Sequence, residues 1–291
     1  MRTLLKGDTH GSDLEFRYAF EIAKRYECNN ILSLGDFGYW EHTASGIHFL
    51  DTLSALAEQY GIDIEFLCGN HENHPLLWHR YMGWNREGFT LDLPHDKKAK
   101  GKPMYVVQQA KLNRIKGEIE LPTPTAEGFI QIRPRLFYIP RGTSWTWDGV
   151  KFLVVGGAMS IDKGVRRPGM SWWQEEAISD EHVAKAQEAG KVDVMLTHDT
   201  PSAIDMWQAH IIAGYYSFKI LPHLMDSRWQ LQKVWEVARP AWLFHGHYHI
   251  NYAMNHVDPG GFTTRVMGLA QEGTEQASWW IFDTAEYPDR T

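Results

Sequence analysis

Two cysteines, Cys28 and Cys68, are all that the 291 residues contain. That is too few for a disulfide framework in a chain of this size, and both read as reduced, small apolar fillers, Cys68 at the end of a buried strand. No uninterrupted apolar run approaches the roughly 20 residues that a membrane span needs. Positive charge is in deficit, with 29 Lys and Arg against 36 Asp and Glu and a formal net charge of −7. This argues against broad electrostatic capture of duplex nucleic acid, although it does not exclude nucleotides. The first polar cluster begins at residue 7, which leaves no room ahead of it for a signal peptide, so a cytoplasmic protein is expected. There is no internal repeat and no convincing linker.

Apolar residues at 43% and charged residues at 22% are in the range of a folded globular chain, so disorder is not the default. Thirteen tryptophans, including the pairs Trp172-Trp173 and Trp279-Trp280, are expected mainly in the core or in pocket walls. Lys6-Gly7-Asp8-Thr9-His10-Gly11 directly follows the apolar pair Leu4-Leu5. A strand ending in a carboxylate and an imidazole two residues apart can aim both into one pocket, and that is metal-ligand spacing. Four further clusters follow strand-like runs: Gly35-Asp36-Phe37-Gly38, Gly69-Asn70-His71-Glu72, Thr197-His198-Asp199 and Gly246-His247-Tyr248-His249. Five strand ends would each deliver an Asp, Asn or His. Because the clusters run from one end of the chain to the other, a single domain spanning residues 1–291 is expected.

The intervening segments alternate. Ser12-Asp13-Leu14-Glu15 has the form of a capping box, and Ala19, Ile22, Ala23 and Tyr26 recur at helical spacing. A strand over Ile31 to Leu34 precedes a helix whose apolar face runs from Phe49 to Tyr60 before Gly61 stops it. A third strand is expected over Ile62 to Cys68. Strands alternating with helices, with functional groups at the strands' carboxyl ends, imply the α/β class. Residues from about 80 to 134 break this rhythm with Asp96-Lys97-Lys98-Ala99-Lys100-Gly101-Lys102-Pro103 and Pro122-Thr123-Pro124. They read as an inserted loop or flap, either solvated or a lid whose lysines meet an anionic substrate. Beyond it, Leu136 to Ile139 and Lys151 to Val155 are strands, with Asp148-Gly149 as a hairpin turn. The loop from Asp162 to Trp173 sets Arg166 and Arg167 beside two tryptophans, suiting either a substrate phosphate with an attached ring or a plain surface loop. A short helix opens at Ser179-Asp180, a strand over Val192 to Leu196 leads to His198, and Leu231, Val234, Trp235 and Ala238 mark a helix that Pro240 ends. Trp242 to Phe244, Arg265 to Met267 and Trp279 to Phe282 look like closing strands.

In order, D-x-H, G-D, G-N-H-[DE], H and G-H-x-H, the five clusters resemble the calcineurin-like metallophosphoesterase superfamily over residues 7–249. The resemblance implies two packed mixed β-sheets flanked by helices. It also implies two divalent ions, with Asp8, His10 and His249 holding one, Asn70, His198 and His247 the other, and Asp36 bridging. Manganese is the expected metal, with iron, zinc or magnesium as alternatives. Two such ions about 3.5–4 Å apart clamp a phosphoryl group and make hydroxide available near neutrality. His71 matches the family histidine that protonates or stabilises the leaving oxygen; its orienting partner is left open between Asp36, Asp199 and a backbone carbonyl.

Gly7 to Gly11 and Gly69 to Glu72 look like the protein serine/threonine phosphatase and diadenosine tetraphosphatase branch, but the second motif departs from it. That branch reads G-D-x-V-D-R-G, whereas this chain reads Gly35-Asp36-Phe37-Gly38-Tyr39-Trp40-Glu41 and lacks the arginine that grips phosphate. The leading expectation is therefore a phosphodiesterase acting on nucleotide or cyclic-nucleotide diesters, with Tyr39 or Trp40 forming the pocket. A phosphomonoesterase or protein phosphatase using Arg166 or Arg167 as the clamp is the alternative; a nuclease and a metal-free scaffold are weaker readings.

Overall fold

The computed structural model describes residues 1–83, 121–215 and 221–287. The lysine-rich stretch of the expected insertion lies outside the described residues. Two six-stranded mixed sheets pack face to face, with helices on the outer side of each. The first sheet contains β1 (Arg2–Lys6), β2 (Asn30–Ser33), β3 (Asp63–Phe66), β4 (Ile130–Arg133), β5 (Leu136–Tyr138) and β12 (Trp279–Asp283), in the order β12-β1-β2-β3-β5-β4. The second contains β6 (Ser144–Trp147), β7 (Val150–Val155), β8 (Val194–Thr197), β9 (Trp242–His245), β10 (Tyr252–Val257) and β11 (Thr263–Gly268), in the order β10-β11-β9-β8-β7-β6. The four inner strands of each sheet run parallel, and an antiparallel strand closes each edge.

Period-two alternation builds both faces of each sheet. Leu5, Leu32, Phe152, Val154, Leu196, Phe244 and Met267 point into the layer between the sheets. Their neighbours Leu4 and Ile31 face α1 (Asp13–Arg25) and α2 (Ala44–Tyr60), while Leu153, Met195, Leu243 and Val266 face α4 (Asp180–Gln187), α5 (Met206–Ile212) and α6 (Met225–Ala238). α3 (His74–Met82) starts at the N-cap Asn73, directly after the third cluster. Asp148 and Gly149, at φ 47° and 81°, make the expected hairpin turn between β6 and β7.

The capping box at Ser12 is half formed. Ser12 Oγ accepts from Glu15 N, but the Ser12 N–H is already donated to Thr9 O. The Glu15 carboxylate is thereby free for Lys6, whose Nζ reaches it at 2.8 Å while the Lys6 side chain is wholly buried. A buried ammonium needs a counter-charge more than a helix terminus needs its second cap bond. No helix among the described residues is long and apolar enough to cross a membrane.

Candidate metal centre

Every cluster sits just beyond the carboxyl end of a strand: Asp8 and His10 after β1, Asp36 after β2, Asn70 and His71 after β3, His198 after β8, His247 and His249 after β9. Sharp turns aim them inward, and His10, Asp36, His247 and His249 all adopt positive φ, from 43° to 68°. Such backbone costs a non-glycine residue about 1 kcal/mol or more and tends to collect at functional sites. Glycines make room: a Cβ on Gly69 would lie 2.2 Å from Asp36 Oδ1, and one on Gly246 would lie 2.1 Å from Asp8 Oδ1. Glu72, fully buried, ties the turns together by accepting from Gly38 N at 3.0 Å and Gly69 N at 2.5 Å.

Asp8, His10, Asp36 and His249 offer ligand atoms that all lie within 4.8 Å of one another. His249 Nε2 is 3.1 Å from Asp8 Oδ2, and His10 Nε2 is 3.4 Å from Asp36 Oδ2. A second group adjoins it. His198 Nε2 lies 3.1 Å from Asn70 Oδ1 and 3.4 Å from Asp36 Oδ1, and the His247 ring centroid is 4.9 Å from that of His198. Asp36 thus turns one oxygen towards each group, and its Oδ1 also accepts the backbone N–H of Asn70 and of His71. His247 N–H donates to Asp8.

The donor set fits cations. His198 Nδ1 faces the Leu34 carbonyl at 2.8 Å and His10 Nδ1 faces Glu272 at 2.8 Å, so the proton of each neutral ring sits on Nδ1. Each Nε2 lone pair then points at oxygens that are themselves acceptors, an arrangement that needs positive charge between them. Burial opposes charge on both rings, yet the neighbouring carboxylates Asp36 and Asp8 raise His10 and His198 to about 10. Asp36 is as deeply buried, and burial alone would raise it; His198 and His71 instead hold it well below the usual carboxylate range.

His71 lies at the edge of the group, with Nε2 3.8 Å from Asp36 Oδ2 and 29% of its side chain open to solvent. Among the described residues none of the three expected partners orients it. Asp36 is too far for a hydrogen bond, and Asp199 is occupied by the Tyr248 hydroxyl at 2.6 Å and Thr200 N at 2.7 Å. Arg166 does so instead, donating from Nη2 to His71 Nδ1 at 2.9 Å. Burial, reinforced by the nearby guanidinium, lowers the His71 pKa although Asp36 opposes the shift.

The expected substrate contacts separate. Tyr39 is fully buried, its hydroxyl on Glu41 Oε2 at 2.5 Å, so it is a core residue rather than a pocket wall. In this turn it joins the outer-face cluster with Phe37. Trp40 lies beside the ligand group, its Nε1 donating to the His71 carbonyl at 2.7 Å and its ring against Gly11. Arg166 reaches the site, whereas Arg167 is exposed and bonds to no site residue among those described. Glu272, Ser160 and Glu176 touch this machinery and belong to no motif read from the sequence; a glutamate 262 residues away from His10 carries no local signal.

No protein-family model and no curated protein matches the chain. Among solved structures it is similar to TT1561 of Thermus thermophilus, at 12% identity over 93% of this chain and 89% of that one, with a TM-score of 0.41. A second solved structure is similar at 9% identity over 99% and 96%, with a TM-score of 0.46. Likenesses this distant carry no argument about activity.

Proposed function

We propose that this chain is a metal-dependent phosphoesterase with a dinuclear centre, acting on nucleotide-like or cyclic-nucleotide phosphodiesters. The observation that carries the reading is Asp36, whose two oxygens face two separate groups of nitrogen and oxygen ligands. Asp8, His10 and His249 would hold one divalent ion and Asn70, His198 and His247 the other. When bound, such ions polarise a phosphoryl group and make water acidic enough to attack near neutral pH; oxygen and imidazole ligands suit manganese, iron or zinc.

The protein's own residues supply the rest. His71 presents Nε2 at the edge of the ligand group, where a proton on that atom could pass to a departing alkoxide. Trp40 backs His71 through its carbonyl and shapes one wall. Arg166, the one arginine at the site among the described residues, is largely committed, its guanidinium spread over His71 and Ser160 with the side chain 8% exposed. A monoester dianion is best gripped by a free bidentate arginine, so this favours the singly charged diester.

The test is hydrolysis of bis(p-nitrophenyl) phosphate against p-nitrophenyl phosphate by metal-stripped protein, with and without added Mn. The expected outcome is a Mn-dependent diester rate well above the monoester rate, reduced roughly 10²–10⁴-fold in His71→Ala. Turnover of the monoester alone would replace this reading with a phosphomonoesterase; no turnover of either would overturn it.

A further inference from the structure

Behind His71 and Asn70 a chain of hydrogen bonds continues past Arg166 to two buried residues to which no role has yet been given. Glu176 is completely buried, and both its oxygens are taken by one residue: Ser160 donates its backbone N–H to Oε1 at 2.9 Å and its hydroxyl to Oε2 at 2.6 Å. A serine hydroxyl has one proton and two lone pairs. With the proton committed to Glu176, Ser160 Oγ can only accept, and it accepts twice, from Asn70 Nδ2 at 3.0 Å and from Arg166 Nη1 at 2.6 Å. Arg166 Nη1 also lies 3.4 Å from the Asn70 carbonyl, 3.6 Å from Asp162 and 4.0 Å from Glu176, and Nη2 completes the chain at His71 Nδ1.

Two orientations follow from this direction of bonding. The Asn70 amide cannot flip, because its NH₂ is held by Ser160, so Oδ1 faces His198 and the ligand group. Nor can His71 carry its single proton on Nδ1, because a guanidinium offers donors only; the proton belongs on Nε2, the atom turned to Asp36. We propose that Ser160 and Glu176 are positioning residues of this site, fixing through one hydroxyl both the ligating face of Asn70 and, by way of Arg166, the tautomer of His71. The inference rests on the phosphoesterase reading for the roles of Asn70 and His71, but not for the hydrogen-bond chain.

The test reads both ends without turnover. In metal-free protein labelled with ¹⁵N-histidine, His71, assigned by its loss in His71→Gln, is expected to show a single Nε2–H tautomer. Ser160→Ala and Glu176→Gln are each expected to convert it to a mixture, as is Arg166→Lys, which cannot span both partners. At the other end, Mn²⁺ binding measured against a competing chelator should weaken by about 10- to 100-fold at one of two sites in Ser160→Ala, with the other little changed. A His71 tautomer that is unchanged in Ser160→Ala and in Glu176→Gln overturns the first half, even if Arg166→Lys alters it, and unchanged Mn²⁺ affinity in Ser160→Ala overturns the second. Should Glu176→Gln fail to fold, Ser160→Ala, which removes one oxygen, decides. Wild-type protein that hydrolyses no phosphoester yet keeps these responses would overturn the functional reading alone.

Discussion

Glu65, within β3, and Asp36, just beyond β2, are both buried carboxylates of the same sheet, and their surroundings push them in opposite directions. Glu65 receives one side-chain hydrogen bond, from Asn30 Nδ2 at 2.8 Å, and Asn30 is in turn held by the Thr3 hydroxyl. Burial outweighs that bond and raises Glu65 to about 8. Asp36 has histidines for neighbours and goes the other way. The partners, rather than the depth, mark the functional end of the sheet. For Glu65 the consequence is a pH-dependent stability. A carboxyl raised in the folded state favours the neutral form, so its contribution is complete below the ordinary value of 4.5 and is lost as pH rises through about 8. Glu65→Gln supplies a neutral acceptor at every pH. It should match the wild type near pH 5 and exceed it near pH 9 by on the order of a few kcal/mol, read from urea unfolding midpoints at the two pH values. A difference that does not change with pH would count against this account.

Turns and caps carry the next level of specification. Gly69→Ala places a methyl 2.2 Å from Asp36 Oδ1 and 2.7 Å from His198 Nε2, so it should abolish Mn²⁺ binding, by at least about 100-fold, in a protein that still folds. Gly61→Ala is the contrast: it caps α2 at φ 70° with nothing within 4 Å of the new methyl. It should cost about 1 kcal/mol of stability and leave Mn²⁺ affinity unchanged. At the start of α1, Glu15→Ala removes the carboxylate facing the buried Lys6 ammonium. About 3 kcal/mol should be lost, more than the ~1 kcal/mol of a cap residue, and Lys6→Met in the same background should recover much of it. If the double variant is no more stable than Glu15→Ala, the ion-pair account fails.

These elements also show what could be read before the structure. The apolar runs at Leu4-Leu5 and Ile31-Leu32, the glycine stop of α2 and the Asp148-Gly149 turn are local signals, and they emerge as the chain suggested. So do the strand-end clusters, because each is a short motif directly following a strand, although hydrogen bonds between clusters fix their final geometry. What escaped were partners set by tertiary approach: Glu15 serving Lys6 rather than the cap, Tyr39 turned into the core, and Arg166 rather than a carboxylate on His71. Ser160 and Glu176 lie some 90 and 105 residues from the groups they position, and nothing near Asn70 in the sequence points to them.

At the scale of the molecule the candidate centre is a seam. Asp8, His10, Asp36 and Asn70 leave the first sheet, while His198, His247 and His249 leave the second, with an apolar layer between the sheets below them. Cations held by both groups of ligands would cross-link the two sheets along this seam. Any ion that binds only the folded protein stabilises it by mass action, by about 2.7 kcal/mol per site at a hundredfold excess over Kd. For a chain of this length that corresponds to a rise in Tm on the order of 5 °C or more. Mn²⁺ should therefore raise the Tm of metal-stripped protein measured by calorimetry, EDTA should reverse the shift, and Asp36→Ala should remove nearly all of it because both ligand groups lose their shared oxygens. Glu272→Gln should reduce the response without removing it, since Glu272 only orients His10. If Asp36→Ala responded to Mn²⁺ as the wild type does, the ion would be binding elsewhere, and the two sheets would not meet at a shared metal centre.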